Sequence, residues 1–132
     1  MQISSDYNQP AFGIRIYNKN NALSEIVQCA KDKHILPLLD GILNNLYHVV
    51  GGDMVIIHGV DKTTGKVFSN FTIGNNTVHN PVKENTVPAA VSLQGLFDLL
   101  DKSNPNLMKL LGNKVSRHVR PEKIINRYSA RE

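Results

Sequence analysis

The sequence predicts an α+β domain: a three-stranded, largely antiparallel sheet with helices packed on it. Two observations support this prediction. Apolar residues alternate with a period of two in three segments, and they recur at helical spacing in the segments between and after them. The chain has 132 residues, of which 41% are hydrophobic and 20% are charged, and this suits one core of ordinary composition.

A strand and two helices are predicted first. The strand covers residues 11–18, where every second residue is apolar. Asn20 or Asn21 in the turn that follows can cap a helix. The first helix is predicted over residues 22–34 and the second over residues 35–50. Apolar residues almost surround the second helix, which predicts that it is mostly buried.

The clearest element is a hairpin of strands 54–60 and 66–73 around a glycine-containing turn. We expect Asp61 and Lys66 to close the turn, which fixes the register. Four pairs then share one face: Met54–Ile73, Ile56–Phe71, His58–Ser69 and Val60–Val67. That face is predicted to be the core face, and a slip of one residue would reverse it.

The C-terminal half is predicted to be a loop followed by helices. Residues 75–88 are polar, contain two prolines and are predicted to form a long loop. This loop is either a functional loop or only a connection between elements. A leucine stripe over residues 93–100 predicts a helix, a shorter helix follows over 105–112, and Pro121 can begin a last one. In this last helix Ile124 and Tyr128 are four residues apart on one apolar stripe, which predicts that Tyr128 packs inward. The predicted division is an extended arm over 1–10, a domain over 11–112 and a basic helical tail over 113–132.

The charge is concentrated in that tail. The net charge is +4, but residues 1–112 carry nine basic and nine acidic residues. The last twenty residues therefore account for the whole excess, with six basic against two acidic residues. Such asymmetry indicates an anionic partner or a merely solubilising helix. The candidate contact residues are Lys114, Arg117, Arg120, Lys123, Arg127 and Arg131.

No motif predicts a cofactor, a metal site or an active site. Phosphate-binding glycine loops are absent from the sequence, and Cys29 and His34 do not have the spacing of metal ligands. His58 can act as a base for Ser69, but no neighbouring motif supplies an orienting acid or an oxyanion hole. The simpler interpretation of His58 and Ser69 is a hydrogen-bonded structural pair.

These observations favour a small, non-enzymatic binding module that acts through protein–protein contacts or self-association. Leucine-rich helices and apolar residues on both sheet faces favour this function, because surplus apolar surface often marks an interface. The alternatives are a nucleic-acid-binding protein that uses the basic tail and, third, a small hydrolase. A single cysteine and the lack of a signal peptide or long apolar run predict a cytoplasmic protein without membrane attachment.

Overall fold

The computed structural model describes residues 14–81, 86–112 and 118–130. Its strands are β1 (Ile16–Asn18), β2 (Met54–Val60), β3 (Val67–Ile73), β4 (Asn76–Pro81) and β5 (Ser129–Ala130). Its helices are α1 (Ala22–Asp32), α2 (Leu36–Val50), α3 (Pro88–Ser103), α4 (Pro105–Gly112) and α5 (Pro121–Tyr128). The predicted arm over residues 1–10 lies outside the described residues.

The five strands form one mixed sheet in the order β4-β3-β2-β1-β5. β2 and β4 run antiparallel to β3, whereas β1 runs parallel to both β2 and β5. The α+β class is confirmed, but the predicted three-stranded, largely antiparallel sheet is wrong. The predicted sheet lacked the two edge strands, β4 and β5.

The strand β4 lies within the segment predicted to be a loop. Gly74, at a φ of +60°, turns the chain back so that Asn76–Pro81 pairs with β3. β4 is an edge strand, and Val78 is 51% exposed, so the strand shows no apolar alternation that sequence analysis could detect. The prediction of a continuous loop over residues 75–88 is therefore wrong in its first half, and residues 82–85 lie outside the described residues.

The other edge strand is too short to show a period. β5 contains two residues, which pair with Ile16 and Tyr17 of β1. β1 joins β2 in parallel because α1 and α2 together form the crossover that parallel neighbours require. Sequence analysis left the partner of the first strand open, and the structure makes it β2.

The predicted register of the hairpin is confirmed. Asp61 N–H donates to the carbonyl of Lys66 at 2.8 Å, and all four predicted pairs are present. Met54, Ile56 and His58 are buried on one face, as are Ser69 and Phe71 of the facing strand. The core therefore lies on the predicted side of the hairpin.

The helices all pack on that side. α1 and α3 contact the strands, α2 packs on α1 and α3, α4 packs on α2 and α3, and α5 packs on α1 and α2. The apolar stripe predicted for α1 is buried, and so is that of α3. The cap of α1 differs from the prediction, because Asn18 Oδ1 accepts from Leu23 N–H at 2.6 Å. Asn20 and Asn21 instead form the preceding turn, with positive φ angles.

Candidate functional site

A chain of polar side chains runs through the core between β2 and α3. His58 of β2 is 6% exposed, and its Nε2 lies 2.7 Å from Ser92 Oγ of α3. Ser92 Oγ also hydrogen-bonds Ser69 Oγ of β3, and both serines are fully buried. The predicted pairing of His58 with Ser69 is therefore confirmed as a strand register, but the imidazole bonds to Ser92.

A carboxylate completes the chain on the other side of the imidazole. Glu25 of α1 places Oε1 3.5 Å from His58 Nδ1, and its side chain is 49% exposed. These side chains therefore form a connected series that runs from solvent at Glu25 through His58 to two buried hydroxyls. We call Glu25, His58, Ser92 and Ser69 the polar chain.

The order acid, histidine, serine resembles that of hydrolytic triads, in which the acid orients an imidazole that activates the nucleophile. The surroundings of Ser92 differ from those of a nucleophilic serine. Ser92 is fully buried on the second turn of a helix, and its Oγ is shared with Ser69. A substrate carbon has no access to this oxygen in the described arrangement, so the polar chain acts here as a hydrogen-bonded part of the core.

Sequence analysis missed two members of the polar chain. Ser92 occupies a position on the apolar stripe of α3, one turn after Ala89 and one before Leu96. A serine at a core position of an amphipathic helix was the available signal. Glu25 gave no such signal, because an acid in the first turn of a helix is already favoured by the helix dipole.

The imidazole of His58 is held neutral. Burial lowers its pKa from the ordinary value of 6.5, and the hydrogen bond and charge of Glu25 offset part of that effect. Protonation would place a cation in the core beside Ser92 and Ser69, whose hydroxyls carry no compensating charge.

A cleft opens beside the exposed end of the polar chain, between α1 and the start of α3. Its volume is about 520 Å³. The residues that line it are Glu25, Gln28, Cys29, Asp32, Lys33, Val87, Pro88 and Ala89. Burial raises the pKa of the Cys29 thiol, which keeps it protonated. Within the described residues, no group of three His, Cys, Asp or Glu side chains is placed to hold a metal ion.

The predicted basic contact residues are only partly described. Lys114, Arg117 and Arg131 lie outside the described residues. Arg120, Lys123 and Arg127 are exposed at and along α5.

Arg127 is already engaged with its own chain. Its Nη2 donates to Asn44 Oδ1 at 3.2 Å, and its guanidinium carbon lies 5.5 Å from the centre of the Tyr128 ring.

The helix that carries these residues is anchored in the core. Ile124 and Tyr128 are fully buried, and the Tyr128 hydroxyl lies 3.2 Å from both the carbonyl and the carboxylate of Asp40 on α2. The inward packing predicted for Tyr128 is confirmed. The helix therefore presents its basic side from a fixed position.

The second face of the sheet has no helix on it among the described residues, and we call it the helix-free face. Its members on the three central strands are all half-buried: Tyr17, Val55, Ile57, Gly59, Phe68, Asn70 and Thr72. Phe68 lies across Gly59, where an added Cβ would come within 2.7 Å of the ring. The same ring lies 5.5 Å from His79 of β4.

One polar atom of this face lacks a hydrogen-bond partner. Asn70 Oδ1 is buried, and no donor reaches it within the described residues. An unsatisfied buried acceptor costs free energy, because the atom has lost its hydrogen bonds to water.

No helix of the described residues is both long enough and apolar enough to cross a bilayer. Comparison of the chain with protein-family models, curated proteins and solved structures finds no match.

Proposed function

We propose that the chain is a non-enzymatic binding module whose helix-free face holds a second copy of the same chain. The observation that carries this proposal is the composition of β2, the central strand. Met54 and Ile56 face the helices, whereas Val55 and Ile57 lie on the helix-free face. A strand with apolar side chains on both faces is typical of a sheet that is covered on both sides.

The charge of the helix-free face favours a neutral occupant. Arg15 and Asp53 lie at the start of β1 and β2, where Met54 N–H donates to the carbonyl of Arg15. Their opposite charges cancel, and Asp53 accepts a hydrogen bond from the Tyr17 hydroxyl at 3.2 Å. An apolar, electrically balanced face suits another apolar, balanced face, and a second copy supplies one by symmetry.

The experiment is analytical ultracentrifugation of the full chain, with Ile57→Asp as the test variant. We expect self-association to weaken roughly tenfold or more, because the interface would have to bury an unpaired carboxylate. Val60→Asp is the matched control: Val60 lies on the same strand, points to the opposite side and is 59% exposed. A chain that stays monomeric at high concentration, or a dimer unaffected by Ile57→Asp, would overturn the proposal.

Nucleic acid is the second candidate partner, and the exposed Arg120 and Lys123 favour it. Contacts to phosphates weaken steeply with salt, whereas an apolar, neutral interface does not. Single-stranded RNA binding that falls with salt and is lost in Lys123→Glu would make nucleic acid the partner. The single cysteine has no second cysteine in the sequence with which to form a disulfide, and this supports a reducing compartment such as the cytoplasm as part of this proposal.

A further inference from the structure

The cleft between α1 and the start of α3 has the size and lining of a small-ligand site. Its volume of about 520 Å³ lies within the range of ligand pockets. The residues from α1 recur at helical spacing and form one side of the cleft, and the first residues of α3 form the other. Glu25 belongs both to the polar chain and to this cleft, whereas the other lining residues belong neither to the polar chain nor to the helix-free face.

The charges that line the cleft favour a cation. Glu25 and Asp32 carry negative charge, and Lys33 is the single cationic side chain among the lining residues. Asp32 also accepts a hydrogen bond from Gln28 at 2.9 Å, which fixes that carboxylate. His58 contributes no compensating charge to Glu25 while its imidazole is neutral.

The start of α3 offers few backbone donors to an anion, although helix N-termini often bind one. Pro88 has no N–H group, and the N–H groups of Ala90 and Val91 donate to the carbonyl of Val87 at 3.0 and 3.4 Å. The donors of Ala90 and Val91 are therefore already engaged within the chain. The side chains at the start of α3 form an apolar wall, with Val87 57% exposed and Ala89 nearly buried.

We propose that this cleft binds a small organic ammonium ion, with the charged end at Glu25 and a short apolar chain against Val87, Pro88 and Ala89. The carboxylate supplies an ion pair and the wall supplies apolar contact. A carboxylate or phosphate ligand would instead meet the two like charges of Glu25 and Asp32 against the one opposite charge of Lys33. The proposal does not depend on what occupies the helix-free face.

The test is a titration of the full chain with n-hexylammonium, followed by amide chemical shifts in NMR. We expect saturable shifts confined to residues 25–33 and 87–91, with a Kd on the order of 1 mM for a probe this small. Hexanoate and hexanol, which keep the chain length, are expected to bind roughly twofold to fivefold more weakly because they lack the ion pair. Equal binding of hexanoate, shifts elsewhere or no saturation would overturn the proposal.

Two variants locate the ion pair. Glu25→Gln should weaken hexylammonium binding roughly fivefold, and the matched control is Glu122→Gln, an exposed acid on α5. Val87→Lys adds a cation to the wall at an exposed position and should also weaken binding, without disturbing buried residues. Binding that is unchanged in both Glu25→Gln and Val87→Lys would overturn the assignment.

Discussion

The hydroxyl of Ser92 holds the polar part of the core together at the scale of single residues. It bridges an imidazole on β2 and a hydroxyl on β3, so that three polar groups share one enclosed space. Such groups stabilise a fold only while each keeps a partner, because an unpaired polar group in the interior loses its bonds to water. The bridging position makes Ser92 the most sensitive member of the polar chain.

Replacement of Ser92 by alanine should therefore lower the stability of the fold, although it removes only one oxygen atom. The change removes the partner of His58 Nε2 and of Ser69 Oγ, and we expect the free energy of unfolding to fall by about 1–3 kcal/mol. Urea denaturation measures this value. Ser103→Ala is the matched control, on the same helix but exposed, and should change stability by about 0.5 kcal/mol or less. Equal losses for both variants would contradict the bridging role.

His58 should make the stability depend on pH. Its pKa in the folded protein is lowered from the ordinary 6.5, first by burial, so the unfolded chain binds the proton more readily than the folded one. Stability is therefore fully present above about pH 6.5 and is lost as the pH falls from there through the lowered folded pKa. Denaturation midpoints measured between pH 8 and pH 5 should show this decline. His58→Gln should flatten this part of the profile, and an unchanged slope would contradict the prediction.

The helix α5 shows at the scale of elements how a basic segment can also be part of the core. Its buried side chains, Ile124 and Tyr128, are one turn apart and face α1 and α2, whereas Lys123 and Arg127 are exposed. The strand β5 follows without a loop and pairs with β1. Packing and sheet pairing together fix the helix at one edge of the molecule.

Truncation of one buried side chain of α5 should therefore destabilise the whole domain. We expect Ile124→Ala to lower the free energy of unfolding by about 3 kcal/mol, the usual cost of a cavity at a fully buried isoleucine. The neighbouring Ile125 is only partly buried, so Ile125→Ala should cost clearly less. Thermal unfolding followed by circular dichroism compares the two. A separate, earlier transition for α5 would contradict its place in the core.

The candidate binding regions lie on different sides of the molecule. The helix-free face lies on one side of the sheet, and the helices that carry the cleft and the exposed cations lie on the other. The proposed self-association and any contact with an anion can therefore be tested separately. Salt discriminates between them, because an apolar interface tolerates ionic strength that screens contacts to phosphates.

The elements and the hairpin register could be predicted from the sequence because they depend on local rules. Side-chain period, turn residues and capping act over a few residues, and a slip by one would have buried the wrong face of β2. The same rules placed Tyr128 inward and the core on the side of Met54 and Ile56. These rules did not predict β4 or β5, because an exposed edge strand and a two-residue strand show no alternation of apolar and polar residues.

The tertiary structure decided which distant residues meet. Glu25 and Ser92 lie 33 and 34 positions from His58, on two different helices, and only the packing of both helices on one face brings them to the imidazole. The parallel pairing of β1 with β2 likewise depends on the crossover through α1 and α2. The sequence by itself determined the elements, the hairpin register and the unequal distribution of charge. Only the tertiary structure determined the polar chain, the cleft and the helix-free face. Each of them is formed by segments that are distant in sequence, and no local pattern indicates that these segments meet.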